Sequence, residues 1–153
     1  MKTIADLAWT AGIIDGEGSI FVMKQKRGDR ERETNLILRV AVQSTDPFMT
    51  KELQKMFPEG AEFSVQRDKR PGCSDTFKWQ LNGRKAANFL KEILPFMRVK
   101  HQQAHLAVEF QETTKKHWRQ MTSIDYDNQK MFCQRLKDAK IELKIGKLSL
   151  MNV

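Results

Sequence analysis

Asp15-Gly16-Glu17-Gly18 alternates carboxylates with glycines directly after a run of small and apolar residues, Thr10 to Ile14. Thr3 with Asp6 in the Glu position resembles a capping box, predicting a helix that starts near Ile4 and that Gly16 and Gly18 bring to an end. The last carbonyls of a helix lack intrahelical partners and carry partial negative charge. A Glu17 carboxylate beside the free Gly16 carbonyl therefore makes a hard-oxygen site for a divalent cation. On the same helix Ala8, Gly12 and Gly16 stack nearly bare backbone on one face, where a second backbone could approach closely. Leu7, Ala11 and Ile14 form a neighbouring face spaced for core burial, and Trp9 and Ile13 form a further apolar pair. A helix apolar on most sides suits burial between its own domain and a partner.

A second group of chemically capable residues follows Pro95. Arg98 and Lys100 fall on one side of the run Phe96-Met97-Arg98-Val99-Lys100 if it is extended, ahead of an expected helix carrying His101 and His105. That histidine spacing can bind zinc. However, Gln102-Gln103-Ala104 stands where a metalloprotease would carry its Glu, and no third ligand is evident, so the pair reads as surface or phosphate-contacting. Cys73 and Cys133 stand outside any C-x-x-C pattern and read as reduced thiols of an intracellular protein.

Positioning these groups falls to a repeated pattern. Ser19 to Gln25 reads as a strand covered on both faces, because Ile20, Phe21, Val22 and Met23 are all apolar. In the next strand Leu36, Leu38, Val40 and Val42 alternate with Asn35, Ile37, Arg39, Ala41 and Gln43, one face for the core and one free to meet a ligand. The charged segment between them, Lys26 to Thr34, reads as a mobile hairpin tip. Asp46-Pro47 caps a second helix, with Phe48, Leu53, Met56 and Phe57 as its apolar side. A second hairpin turns at Pro71-Gly72. Its strands set Phe63, Val65 and Arg67 against Ser64, Gln66 and Asp68, and Phe77, Trp79 and Leu81 against Thr76, Lys78 and Gln80, with the aromatics expected in the core. A third helix buries Ala86, Phe89, Leu90, Ile93 and Leu94 and ends at Pro95. Phe132, Leu136, Ala139 and Leu143 predict a C-terminal amphipathic helix packed on the core.

At 153 residues the chain is one domain's worth, with a core expected over about 4–112 and a helical extension over about 113–153. A formal charge of +8 favours a polyanionic partner, of which nucleic acid is the commonest. The basic connection Lys115-Lys116-His117-Trp118-Arg119 could track phosphates. Lys2 precedes a partly apolar run that imitates a signal peptide, but Asp6 interrupts it and no cleavage pattern follows. With no segment of transmembrane length, no membrane partner is expected, and the chain reads as soluble and intracellular.

Thr10 to Gly18, TAGIIDGEG, resembles the LAGLIDADG motif of homing endonucleases, with Ile13 for Leu, Gly16 for the second Ala and Glu17 for the final Asp. The resemblance implies an α+β fold of order αββαββα, with a curved antiparallel DNA-binding sheet and added C-terminal helices. It implies that two motif helices pack at a two-fold interface, here through Ala8, Gly12 and Gly16 of a homodimer. It further implies that Glu17 and the Gly16 carbonyl bind Mg2+ and that Asp15 is structural. Leu94 to Ala104 is similar to a segment of single-motif relatives whose second basic residue reaches the scissile region. This makes Lys100 the expected transition-state or water-activating lysine and Arg98 a phosphate contact. A water-ordering polar position at the end of the second strand, often Gln in the family, aligns with Ser44, next to Gln43. A nearby basic position of some relatives aligns with Phe48, which cannot replace a cation.

Recognition would then use the outward side of the sheet: Phe21, Met23, Gln25, Asn35, Ile37, Arg39, Ala41 and Gln43 from the first hairpin, and Ser64, Gln66, Asp68, Thr76 and Lys78 from the second. The activity implied is a staggered double-strand cut at a long, nearly palindromic DNA target. A non-cleaving transcription regulator or intron maturase is the alternative on the same fold. A basic RNA-binding protein would leave DGEG and the small-residue face unexplained.

Overall fold

The Thr3 hydroxyl accepts from the Asp6 N–H at 3.1 Å, and the Asp6 carboxylate accepts from the Thr3 N–H at 2.8 Å, so the first helix opens on a reciprocal cap. Helix α1 spans Ile4–Gly16, with Glu17 as its C-cap. The computed structural model describes residues 1–26, 34–65, 71–72, 74–114 and 120–151. After α1 come β1 (Gly18–Lys26), β2 (Thr34–Ser44), α2 (Pro47–Met56), β3 (Ala61–Val65), β4 (Thr76–Asn82), α3 (Gly83–Ile93), α4 (His101–Thr113) and α5 (Ser123–Met151). A short 3-10 turn, Leu94–Phe96, accommodates Pro95 between α3 and α4. The order through α3 is helix, two strands, helix, two strands, helix, as the local patterns predict. Of the hairpin tip expected over Lys26 to Thr34, the two end residues belong to β1 and β2, while 27–33, the residues Gln66, Arg67, Asp68 and Cys73, and the basic connection 115–119 lie outside the described residues.

The four strands form one antiparallel sheet in the order β1-β2-β4-β3. Ile20 pairs with Val40 and Val22 with Leu38, and across the next ladder Val40 pairs with Leu81 and Val42 with Trp79, so these residues share the face that packs on the helices. Ile20, Leu38, Val40, Val42 and Trp79 are fully buried there, together with Leu53 and Phe57 from the α2 segment and Phe89, Leu90 and Ile93 from α3. Phe57 meets the Phe89 ring edge-on at 4.7 Å between centroids, and Trp79 lies 5.3 Å from Phe89, which ties β4 to the α2 and α3 layer. Helix α4 adds Ala104, Ala107 and Phe110 to this core, and α5 packs along α4 through Tyr126, Leu136 and Ala139, with Phe132 half-buried.

In the second hairpin β4 has the expected parity, and β3 has the opposite one. Phe63 pairs with Lys78 and Ser64 with Phe77, so Phe63 and Val65 share the outer face with Lys78 and Thr76, while Ser64 turns toward the helical side. Trp79 is in the core, Phe77 is half-buried, and Phe63 is 40% exposed with the Lys78 Nζ 5.8 Å from its ring centroid. The register of β4 is fixed by Trp79 and Leu81 in the core, and β3 must follow it. On α2, likewise, Thr50 and Leu53 point inward one turn apart, which rotates Phe48 away from the core to 72% exposure.

Candidate active site and nucleic-acid interface

The end of α1 is clamped by the segment that leads into α4. Asp15 accepts three backbone N–H groups, those of Arg98 at 2.7 Å, Val99 at 3.1 Å and Lys100 at 2.8 Å, from residues more than eighty positions away in sequence. A carboxylate accepting several backbone donors is among the stronger hydrogen-bonding arrangements available, so Asp15 is a structural anchor. Its contacts bring Lys100 back over the helix end. There the Lys100 Nζ donates to the Ile14 carbonyl at 2.8 Å and to the Gly18 carbonyl at 2.7 Å, on either side of Glu17. Burial pushes the Lys100 ammonium below the usual lysine range; Asp15 opposes this, Lys147 reinforces it, and Glu17 opposes it in turn. Arg98 is exposed, and its backbone N–H is held by Asp15.

The Glu17 backbone N–H closes the helix on the Ile13 carbonyl at 2.8 Å, but its side chain is exposed and its carboxylate makes no hydrogen bond or ion pair among the described residues, in contrast with Asp15. Gly16 is exposed in the last turn, where carbonyls run out of intrahelical partners. No cluster of three or more His, Cys, Asp or Glu side chains that could hold a metal occurs among the described residues. One carboxylate and one backbone oxygen are too few for a closed metal cage. They do fit an ion such as Mg2+, which keeps much of its water and typically binds through one or two carboxylates plus substrate phosphates. Gly18 is required by packing: a Cβ there would stand 2.7 Å from the Ile14 Cα, so β1 leaves the helix end at a distance only glycine allows.

Gln43 and Ser44 part company. Gln43 follows the Gly18–Val42 pair by one residue and points to the outer face, where its amide donates to the Thr76 hydroxyl at 2.8 Å. Ser44 takes the helical side opposite Phe77, and its hydroxyl accepts from the Asp46 N–H at 3.0 Å in the turn into α2. Of the two, Gln43 has the orientation of a group serving the outer face.

That outer face carries Phe21, Met23 and Gln25 from β1, paired across the ladder with Arg39, Ile37 and Asn35 of β2. Arg39 donates to the Asn82 amide oxygen at 2.8 Å, and Lys78 lies opposite Gln43. Ala41 and Thr76 are on this face but buried, at 6% and 7% exposure, so their longer neighbours supply its accessible groups. Ser64 is not on it. Phe63 is, and strict alternation back from the Lys78 pair would have found it had the register been readable.

On the opposite flank α1 presents Ala5, Ala8, Trp9, Gly12 and Gly16 to solvent, while Thr10, Ala11 and Ile14 are buried. A Cβ added at Gly12 or Gly16 would meet nothing within 4 Å, so the small-residue face is unfilled among the described residues. His101 and His105 are exposed on α4, with the His105 Nδ1 3.4 Å from Glu109. No helix among the described residues is long and apolar enough to cross a membrane.

No protein-family model matches the chain, and no curated protein matches it in sequence. Solved structures do match. The archaeal intron-encoded homing endonuclease I-Vdi141I complexed with DNA superposes with a TM-score of 0.71 at 16% identity, over 88% of this chain and 84% of that one. The homing endonuclease I-CvuI, in complex with a DNA target in the presence of Mg, gives 0.62 at 16% identity over 92% and 95% of the two chains. The LAGLIDADG homing endonuclease I-SmaMI, bound to cleaved DNA, gives 0.59 at 23% identity over 86% of this chain and 42% of that one, so this chain spans less than half of it.

Proposed function

We propose that this chain, which has the LAGLIDADG homing-endonuclease fold, is a site-specific endonuclease that hydrolyses phosphodiester bonds in both strands of duplex DNA. The observation that carries the reading is the contrast at the end of α1. Asp15 accepts three N–H donors, whereas the Glu17 carboxylate beside it is exposed and without a hydrogen-bond or ion-pair partner among the described residues, with the Lys100 ammonium held between the Ile14 and Gly18 carbonyls. An uncommitted carboxylate at a helix C-terminus is electrostatically costly unless a cation joins it.

Glu17 and the Gly16 carbonyl would hold a divalent cation, with DNA phosphate oxygens completing its shell. When bound, Mg2+ supplies charge neutralisation and water activation for in-line phosphodiester hydrolysis. Lys100 would stand beside the scissile phosphate, where a lysine with depressed pKa can both stabilise developing charge and take part in proton transfer. Gln43 would orient solvent from the outer face, and Arg98 would meet a phosphate. The outer sheet face, with Gln25, Asn35, Arg39 and Lys78 among apolar Phe21, Met23, Ile37 and Phe63, offers the donors and methyl-contacting groups that major-groove readout uses.

One chain carries one Glu17, and cutting both strands requires two such centres. The open face of Ala8, Gly12 and Gly16 would pair with its copy about a dyad and bring two Glu17 side chains together. Glu17→Gln keeps the side chain's size and removes its charge. It should bind duplex DNA with parental affinity in an electrophoretic or anisotropy titration while losing cleavage, and a variant that cuts at the parental rate would remove Glu17 from the mechanism.

A further inference from the structure

Helix α5 brings a row of cations to a place the motif alone does not mark. Lys140, Lys144 and Lys147 recur at helical spacing and line one cavity with Lys100, Gln103 and the Ser19 end of β1. The cavity has a volume of about 250 Å³. A water's share of liquid volume is about 30 Å³, so the space suits several waters or a group the size of a phosphate. Among the described residues, none that lines it is acidic. Lys140 lies at the edge of the recognition face, its Nζ 5.7 Å from the Phe21 ring centroid, so α5 reaches around β1 toward the side that carries Arg39 and Gln43.

Four ammonium groups around one cavity repel one another. Burial lowers the Lys140 pKa, and Lys100 and Lys144 lower it further; Lys147 acts in the same sense on Lys100. Asp15 and Glu17 offset part of this at Lys100, but Asp15 is engaged with backbone donors and Glu17 is exposed and does not line the cavity. An anion in the cavity would relieve the repulsion and complete the hydrogen bonds of all four lysines.

We propose that this cavity is a second DNA contact, a phosphate site built by Lys140, Lys144 and Lys147 of α5 with Lys100, which takes a backbone phosphate of the bound duplex beside the cleavage centre. The inference rests on the endonuclease reading and adds a sequence-independent clamp to it. Contacts of this kind release condensed counterions, and each neutralised phosphate adds about 0.9 to the slope of log affinity against log salt.

The test is a salt titration of binding to a random-sequence duplex, read by fluorescence anisotropy, for the parental chain and for Lys144→Gln/Lys147→Gln. Lys55→Gln/Lys85→Gln, which removes the same charge from exposed positions on α2 and α3, serves as the control. The cavity variant should lose up to about one unit of slope, the contribution of one phosphate, with the control unchanged and thermal melting of all three proteins alike. Equal slopes for the cavity variant and the parent, or equal losses in cavity variant and control, would overturn the site. A parental chain with no affinity for duplex DNA would overturn the endonuclease reading and this inference with it. A free inorganic phosphate arm distinguishes the source: millimolar phosphate should compete no better than matched ionic strength if the site is shaped for a duplex, and selective competition by phosphate that the cavity variant abolishes would make it a free-anion site instead.

Discussion

Asp15 and Glu17 are the same kind of group in adjacent settings, and their hydrogen bonds separate their duties. Asn at position 15 would keep one acceptor oxygen but present an amide to donors that need a carboxylate, so Asp15→Asn should lose the equivalent of one charge-assisted hydrogen bond or more, about 1.5–3 kcal/mol. Urea unfolding of the variant would measure this, and an unchanged midpoint would show that the clamp is held by something else. Lys100 carries a prediction with a definite sign. Its pKa is depressed first by burial, and Lys147 contributes a like charge. Removing that charge in Lys147→Gln should raise the Lys100 pKa toward the ordinary lysine value, so the neutral amine should appear at higher pH than in the parent. The pH dependence of selective amine labelling at Lys100 reads this directly, and a shift to lower pH would contradict the assignment. For Lys100→Met we expect single-turnover cleavage to fall much further than DNA affinity. An unchanged rate at saturating DNA would leave Lys100 as a helix clamp only.

At the scale of elements, α1 makes a clean test of assembly because its small-residue face is empty among the described residues. Gly12→Leu adds a side chain where nothing lies within 4 Å, so the monomer should fold unchanged. If two copies of α1 meet there, overpacking costs about 1–3 kcal/mol at each of the two symmetry-related positions. Sedimentation should then show a shift toward monomer with the melting of the monomer preserved, and a variant that dimerises normally would place the interface elsewhere. In the first hairpin β2 is legible, since Leu36, Leu38, Val40 and Val42 share one face against Asn35, Arg39 and Gln43, but β1 is not, because Ile20 to Met23 are all apolar and Phe21 and Met23 nevertheless lie half-exposed on the outer face. Nor was the pairing of the second hairpin. Phe63 and Val65 on one strand and Phe77 and Trp79 on the other look equally apolar, so the pattern left the pairing free to slip by one residue, and only the packing of Trp79 against Phe57 and Phe89 decides it. Phe48 was misread for a related reason, because an apolar residue at the first turn of a short helix carries too little periodicity to fix its side.

At the scale of the whole molecule, the positive charge is organised rather than dispersed. Glu17 and Lys100, the residues proposed for the cleavage centre, stand out in the sequence through their motifs, and the structure joins Asp15, Arg98 and Lys100 in one hydrogen-bonded cluster. The convergence of Lys140, Lys144 and Lys147 on Ser19 could not be read, because lysines at helical spacing on a polar helix look like any solvated face until the partner strand is known. The central claim is that this assembly cuts duplex DNA at a chosen sequence, and its most direct test is selection of cleaved ends from a randomised duplex library incubated with the purified chain and Mg2+. The account predicts enrichment of one long, nearly palindromic sequence with staggered ends, lost when the cation is chelated and lost in Glu17→Gln. Recovery of no cleaved sequence from a chain that binds the library, or the same products with chelator present, would contradict it.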